Sequence, residues 1–83
     1  MQKVLIIRLS SIGDIVLTSP IVRCVKLQTN AEIHFLTKSK YAPILEFNPY
    51  IDKIITLEDN LQETLKTLKN ERYNYIIDLH NNF

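Results

Sequence analysis

Apolar residues fall into short runs that alternate with helical spacings along the chain. The first run, Val4–Ile7, is unbroken and is extended by Leu9. It shows no polar alternation, so both faces of this strand are expected to be buried, as in a parallel sheet covered on both sides. A polar turn, Ser10–Asp14, ends the run, and a helical pattern then extends from about Asp14 to Gln28.

The first helical pattern has a broad apolar face and an internal proline. Pro20 is expected to kink the helix or to restart it with Ser19 as the cap. Cys24 lies on the apolar face and is expected to be a small buried residue rather than a reactive thiol. The apolar positions of this face are Val16, Leu17, Ile21, Cys24, Val25 and Leu27.

Three more strands are expected, separated by two helices. The strands are marked by Ile33, Phe35 and Leu36, by Lys53–Leu57, and by Tyr73–Leu79; the helices cover Lys38–Phe47, stopped by Asn48 and Pro49, and about Asn60–Asn70. In the last helix Asn60 would be the cap, with Glu63 at the capping-box position and Leu61, Leu65 and Leu68 on one face. Strict alternation of strands and helices predicts an α/β fold with a parallel, Rossmann-like sheet.

Composition excludes several classes of protein. The chain has 83 residues, enough for one small domain, and a net charge of +1, with no basic run to follow a nucleic-acid backbone. The single cysteine, Cys24, cannot form an internal disulfide, and with His34 and His80 it gives no spacing for zinc, so no metal is predicted. Arg8 interrupts the N-terminal apolar stretch, which is too short for a signal peptide or a membrane span, so a cytoplasmic protein is expected.

Two polar segments are expected to meet at one crevice. In open parallel sheets, ligands bind at the carboxyl ends of the strands where the strand order reverses. If the order is the common 3-2-1-4, the first and fourth strands are neighbours. The turn Ser10–Asp14 and the loop Asp78–Asn82 would then face each other.

The first turn is not a nucleotide-phosphate loop. The chain contains one glycine, Gly13. A dinucleotide fingerprint needs three glycines, and a P-loop needs two with a following lysine. Gly13 instead allows a tight or left-handed backbone at the turn.

Each polar residue of these two segments has a structural and a functional interpretation. Asp14, at the helix start, could only cap the helix or could accept a proton from a sugar hydroxyl. His80 could bond loop backbone or orient a substrate, and Asp78 could hold loop N–H groups or a ligand. The same alternatives stay open for Ser10, Ser11, Asn81 and Asn82, which also suit turns.

Three segments, in order along the chain, resemble glycosyltransferase family 9, the ADP-heptose:lipopolysaccharide heptosyltransferases. They are KVLIIRLSSIGDIVLTSP at 3–20, NPYIDK at 48–53 and YIIDLH at 75–80. The resemblance implies the partial N-terminal, acceptor-side domain of a GT-B enzyme, covering residues 1–83, with the donor domain absent. It implies inverting transfer without a metal or cofactor from a nucleotide sugar such as ADP-heptose to the lipopolysaccharide inner core, with Asp14 as general base.

If the resemblance holds and the turn and the loop share a crevice, Ser10, Ser11, Gly13, Asp78, His80 and Asn81 are expected to bind the acceptor. The resemblance implies an enzyme that contacts the inner membrane peripherally. The chain stops before an arginine that the family places after the fourth strand, so the chain alone is expected to be inactive and, with apolar faces uncovered, to self-associate. An alternative is a non-catalytic, receiver-like binding module, although such modules need an acidic cluster after the first strand and this turn offers only Asp14.

Overall fold

The computed structural model describes residues 1–57 and 61–80, which form one four-stranded parallel sheet with helices on both faces. The elements follow in the order β1 (Lys3–Ile7), α1 (Ile12–Leu17), α2 (Ser19–Thr29), β2 (Glu32–Lys38), a 3-10 turn (Ser39–Tyr41), α3 (Ala42–Leu45), β3 (Lys53–Leu57), α4 (Leu61–Glu71) and β4 (Tyr75–Asp78). The strand order is β3-β2-β1-β4, which confirms the parallel Rossmann-like sheet and its expected order.

Each face of the sheet carries its own apolar core. On one face, side chains of α1, α2 and α3 cover the strands, in a cluster formed by Val4, Ile6, Ile15, Val22, Ala31, Ile33, Phe35 and Leu45. On the other face Leu5, Leu36 and Ile55 pack with Leu68 of α4. Val4, Leu5 and Ile6 are all buried, as the unbroken apolar run of β1 predicts.

The first helical pattern is two helices rather than one. α1 begins at Ile12, two residues before the predicted start, with Ser11 as its N-cap. α2 begins at Ser19 with Thr18, not Ser19, as its N-cap, and Pro20 sits in its first turn. A proline is tolerated there because the first-turn N–H groups have no partner within the helix, so Pro20 restarts the helix instead of kinking it.

Gly13 lies inside the first turn of α1 without a positive φ, so of the two expected alternatives, a tight or a left-handed backbone, the left-handed one does not occur. The expectation that Cys24 is buried is wrong, because this residue is exposed. The buried side of the two helices follows Ile15, Thr18 and Val22, and Cys24 lies roughly 200° round the helix axis from Val22.

The remaining elements depart from the expectations only in detail. Leu61 and Leu65 of α4 are mostly exposed, whereas Thr64 is buried, so the leucine face is only partly used. The predicted helix after β2 is a 3-10 turn followed by the four residues of α3. β4 is shorter than the predicted strand, and the predicted cap Asn60 lies outside the described residues.

Candidate active site

The two polar segments predicted to share a crevice do meet, at the carboxyl ends of β1 and β4. The backbone N–H of Leu79 donates to the carbonyl of Ile7 at 2.9 Å, which continues the pairing of the two strands. Just beyond, the N–H of Leu9 lies 3.4 Å from Nδ1 of His80. The residues that lead into the turn Ser10–Asp14 are therefore in direct contact with the loop after β4.

Asp14, in the first turn of α1, receives three donors on one carboxylate oxygen. The hydroxyl of Ser11 donates to Oδ2 at 2.7 Å, and the backbone N–H of Ser11 lies 3.3 Å from the same atom. Arg8 forms an ion pair with it, with Nη2 3.0 Å from Oδ2. The hydroxyl of Ser11, then its N–H, and then Arg8 lower the pKa of Asp14, so the carboxylate is ionised at neutral pH.

The other oxygen of Asp14, Oδ1, takes no part in these contacts. Among the described residues none donates to Oδ1. The side chain as a whole is 48% exposed. This arrangement gives a fixed, ionised carboxylate with one acceptor atom available at the edge where parallel sheets bind their ligands.

Capping and chemistry are compatible for Asp14. Its bond from the Ser11 N–H is one half of a capping box, so the carboxylate stabilises the start of α1. That bond uses only Oδ2. The structural interpretation of the aspartate therefore does not remove the functional one.

Arg8 was missed as a site residue by sequence reasoning, where it served only to interrupt an apolar stretch. Its side chain is 12% exposed, and its Nη1 donates to the carbonyl of Leu79 at 2.6 Å while Nη2 binds Asp14. The sequence did contain a sign of this role. An arginine that directly follows a buried strand, at the carboxyl end of the sheet, needs a partner for its charge there.

The loop after β4 is organised by Asp78. Its Oδ1 accepts the backbone N–H of His80 at 2.9 Å, so this carboxylate does hold the loop. His80 in turn accepts the Leu9 N–H through Nδ1, which places the proton of the neutral ring on Nε2. Of the other predicted site residues, Ser10 is half-buried, Ser11 and Gly13 are exposed in the same turn, and Asn81 lies outside the described residues.

An open apolar groove of about 530 Å³ lies beside α1, between the α1–α2 pair and α3. Val16 and Pro20 line one side, and Leu45 and Phe47 line the other. Sequence reasoning did not find it, because it assigned Val16 to a buried helix face. Asp14 does not line this groove.

Two further findings concern the described part of the chain. No group of three or more His, Cys, Asp or Glu side chains there is placed to hold a metal ion. None of its helices is long and apolar enough to cross a membrane.

The fold is a Rossmann-like parallel sheet in which two polar segments lie together at the carboxyl ends of neighbouring strands, and comparison with known proteins shows what the chain is similar to. The chain is similar to glycosyltransferase family 9 in sequence and in fold, which confirms the resemblance seen in its motifs. It is 33% identical over 85 residues to lipopolysaccharide heptosyltransferase 1 of Campylobacter coli, covering 94% of this chain and 25% of that protein. The crystal structure of a family 9 glycosyl transferase from Veillonella parvula matches 98% of this chain and 26% of its own, with a TM-score of 0.87 and 22% identity.

The chain therefore spans about a quarter of the length of these relatives. A comparison with models of protein families finds no match.

Proposed function

We propose that this chain forms the acceptor-side part of an inverting sugar transferase in which Asp14 is the general base. The observation that carries the proposal is that the two oxygens of the Asp14 carboxylate have different surroundings. Ser11 and Arg8 bind Oδ2, and Oδ1 remains available at the sheet's carboxyl edge. A carboxylate held in one orientation, with one acceptor atom presented outward, has the geometry that general base catalysis requires.

In the proposed reaction, a hydroxyl of the acceptor sugar donates a hydrogen bond to Oδ1 of Asp14. As the hydroxyl oxygen attacks the anomeric carbon of the donor, its proton passes to Oδ1. The bond from that carbon to the nucleoside diphosphate breaks, and the diphosphate leaves with the bonding electrons, so the configuration at carbon inverts. Although the lowered pKa makes Asp14 a weak base, the hydroxyl becomes strongly acidic as its new bond forms, and transfer is then favourable.

The neighbouring polar groups are proposed to hold the acceptor. Ser10, Ser11 and Gly13 border Asp14 in the turn, and Asp78, His80 and Asn81 belong to the facing loop. His80 can donate from Nε2 because Nδ1 is engaged by Leu9. Asp78 acts by fixing the loop N–H of His80.

The substrates are proposed from the similarity to a heptosyltransferase. The donor would be a nucleotide sugar such as ADP-heptose, and the acceptor the lipopolysaccharide inner core at the cytoplasmic face of the inner membrane. No cofactor or metal enters the proposal. Residues 1–83 contain one glycine and no diphosphate-binding fingerprint, so the donor would be held by the part of such an enzyme that this chain does not span.

The test uses a chimera in which residues 1–83 replace the matching segment of the Campylobacter coli heptosyltransferase. Asp14→Asn keeps the size and the contacts of Oδ2 but removes the base, so turnover should fall by about 10²–10⁴-fold with little change in the melting temperature. Glu46→Gln, an exposed carboxylate outside the site, is the matched control and should leave turnover unchanged. Near-normal turnover by the Asp14→Asn chimera would refute the assignment.

A further inference from the structure

One arginine connects the two halves of the candidate site. Arg8 follows the last residue of β1, and its guanidinium contacts two described segments, with Nη2 3.0 Å from Oδ2 of Asp14 and Nη1 2.6 Å from the carbonyl oxygen of Leu79. The backbone N–H of Arg8 also donates to the carbonyl of Leu36 in β2, at 3.2 Å. The residue is therefore fixed at its backbone and at both ends of its side-chain fork.

We propose that Arg8 is a positioning residue that sets the orientation of Asp14 and couples it to the loop that carries His80. This inference rests on the proposed role of Asp14 and adds a residue to that site. Arg8 itself transfers no proton, because a guanidinium stays charged at every accessible pH.

The orientation follows from how the donors are distributed. A carboxylate rotates about one bond, and a single donor would leave either oxygen free to face the acceptor. Here three donors, two from Ser11 and one from Arg8, converge on Oδ2, so turning the carboxylate part of the way would break all three contacts at once. The carboxylate is thereby held with one oxygen bound and the other turned away from these donors.

The coupling follows from the geometry of the fork. A planar guanidinium presents its N–H groups in fixed directions, so binding Asp14 with one nitrogen fixes where the other can find its acceptor. That acceptor is the carbonyl of Leu79, next to His80. A shift of the loop after β4 would therefore be transmitted to Asp14, and occupation of the loop by a ligand would be sensed at the base.

Arg8 also contributes to the charge state of Asp14. It is the charged neighbour that lowers the pKa of this carboxyl, while Asp78 and His80 stand on the loop that Arg8 binds. The side chain of Arg8 is 12% exposed, so solvent screens the pair only on the side of Asp14.

The experiment compares two variants of the 83-residue chain by NMR. It distinguishes the effect of the positive charge of Arg8 from the effect of its planar guanidinium. Arg8→Met removes both contacts; the pKa of the Asp14 carboxyl should rise, because the arginine that helps to lower it is gone, and the Leu79 and His80 amide resonances should move. Arg8→Lys keeps the charge without the fork, so the pKa of Asp14 should stay low while the amide resonances still move. Arg23→Met, on α2, is the matched control and should leave both unchanged.

Two outcomes would overturn the proposal: an unchanged Asp14 titration in folded Arg8→Met, or unmoved loop amides in Arg8→Lys. If Arg8→Met does not fold, the Arg8→Lys spectra decide. In the active chimera, Arg8→Met should also move the acid limb of kcat/KM to higher pH. The titrations need no substrate and test only the role of Arg8. If the Asp14→Asn chimera retained turnover, the proposed function would be refuted, but the result of the titrations would be the same.

Discussion

The backbone N–H of Leu9 and Nδ1 of His80 lie 3.4 Å apart, although 71 residues separate them in sequence. The contact exists because β1, inside the sheet, pairs in parallel with β4 at its edge. The segments that follow the two strands therefore emerge side by side. Asp14 and the loop of His80 share a site for the same reason. The candidate chemistry thus follows from strand order rather than from any single motif.

The opposite, amino-terminal end of the sheet has a different polar network, which serves stability. Glu71 binds Lys3 at 3.2 Å and Lys53 at 2.9 Å, so it ties the start of β1 to the start of β3. His34 is buried beside them and contacts Glu32 and the hydroxyl of Tyr73. Because ligands bind at the carboxyl ends of parallel strands, changes here should alter folding and leave the candidate site intact.

We expect Glu71→Gln to weaken the loss of stability in acid. The bonds from Lys53 and Lys3 lower the pKa of Glu71 from 4.5 to about 2 in the folded protein. A carboxyl with a depressed folded pKa stabilises fully above its unfolded value and loses this contribution as pH falls from about 4.5 towards 2. Urea unfolding at a series of pH values should show a shallower decline for Glu71→Gln than for wild type over that window.

The control for this change is Glu46→Gln, which removes an exposed carboxylate away from the network. It should decline in parallel with wild type. Parallel declines for all three proteins would show that the ion pairs of Glu71 do not contribute.

Tyr73→Phe should destabilise the chain by about 1–3 kcal/mol, because it removes a hydrogen bond from a buried polar ring. The Tyr73 hydroxyl and Nδ1 of His34 are hydrogen-bonded at 2.7 Å, and the His34 residue is only 1% exposed. Tyr75→Phe, at a residue that is 58% exposed, is the matched control and should cost little. Equal effects of the two substitutions in urea unfolding would contradict the assignment.

The same environment affects how Tyr73 ionises. Burial, and then the charges of Glu71 and Glu32, raise the pKa of its phenol above the ordinary value. In an alkaline titration followed by tyrosine absorbance, the Tyr73→Phe variant should therefore lose the last phenol to ionise. Since the folded pKa is raised, this group stabilises the fold below the ordinary phenol pKa, and its contribution is lost as pH rises above that value.

Ile33→Val should cost about 0.5–1.5 kcal/mol, since it deletes one methylene from a fully buried core position. Ile33 lies in β2, under α2 and α3, where a cavity cannot be filled by solvent. Leu27→Ala removes more atoms from a residue that is 63% exposed and should cost no more than about 0.5 kcal/mol. A larger loss for Leu27→Ala would show that the exposed side of α2 packs against something in solution.

Ile33 and Leu27 also show why the sheet was easier to predict than its helices. In β1 the apolar run is itself the buried segment, so this strand follows directly from the sequence. Around α1 and α2 apolar residues occur on every side, and the chain gives no sign that Ile15 and Val22 are buried while Leu17 and Cys24 are exposed. That choice is made by the sheet on which the helices pack.

The part of the candidate site that could be predicted from the sequence is the part that follows from the strand order. The order places Asp14 and His80 at one edge, and the polar turn and loop draw attention to both. The role of Arg8 depends on two contacts made by one guanidinium to segments far apart in sequence, and no local pattern encodes such a pair. The groove beside α1 was missed because its walls come from helices whose buried side was misjudged.

The two edges of the sheet differ in how well they are covered, and this leads to a prediction about association. At β3, Ile55 is 7% exposed and the strand begins with Lys53. At β4, Tyr75 is 58% and Ile76 is 61% exposed, and within the described residues the strand pairs only with β1. An edge strand with exposed apolar side chains and no lysine is a template for pairing with another chain.

The 83-residue chain should therefore self-associate through β4, where Tyr75 and Ile76 are exposed. Ile76→Lys places a charge on this edge and should shift the chain towards monomer in sedimentation velocity. Leu27→Lys adds the same charge at an exposed apolar residue of α2 and should leave association unchanged. A wild-type chain that sediments as a monomer at every concentration, or equal effects of the two lysines, would show that the β4 edge is not the contact.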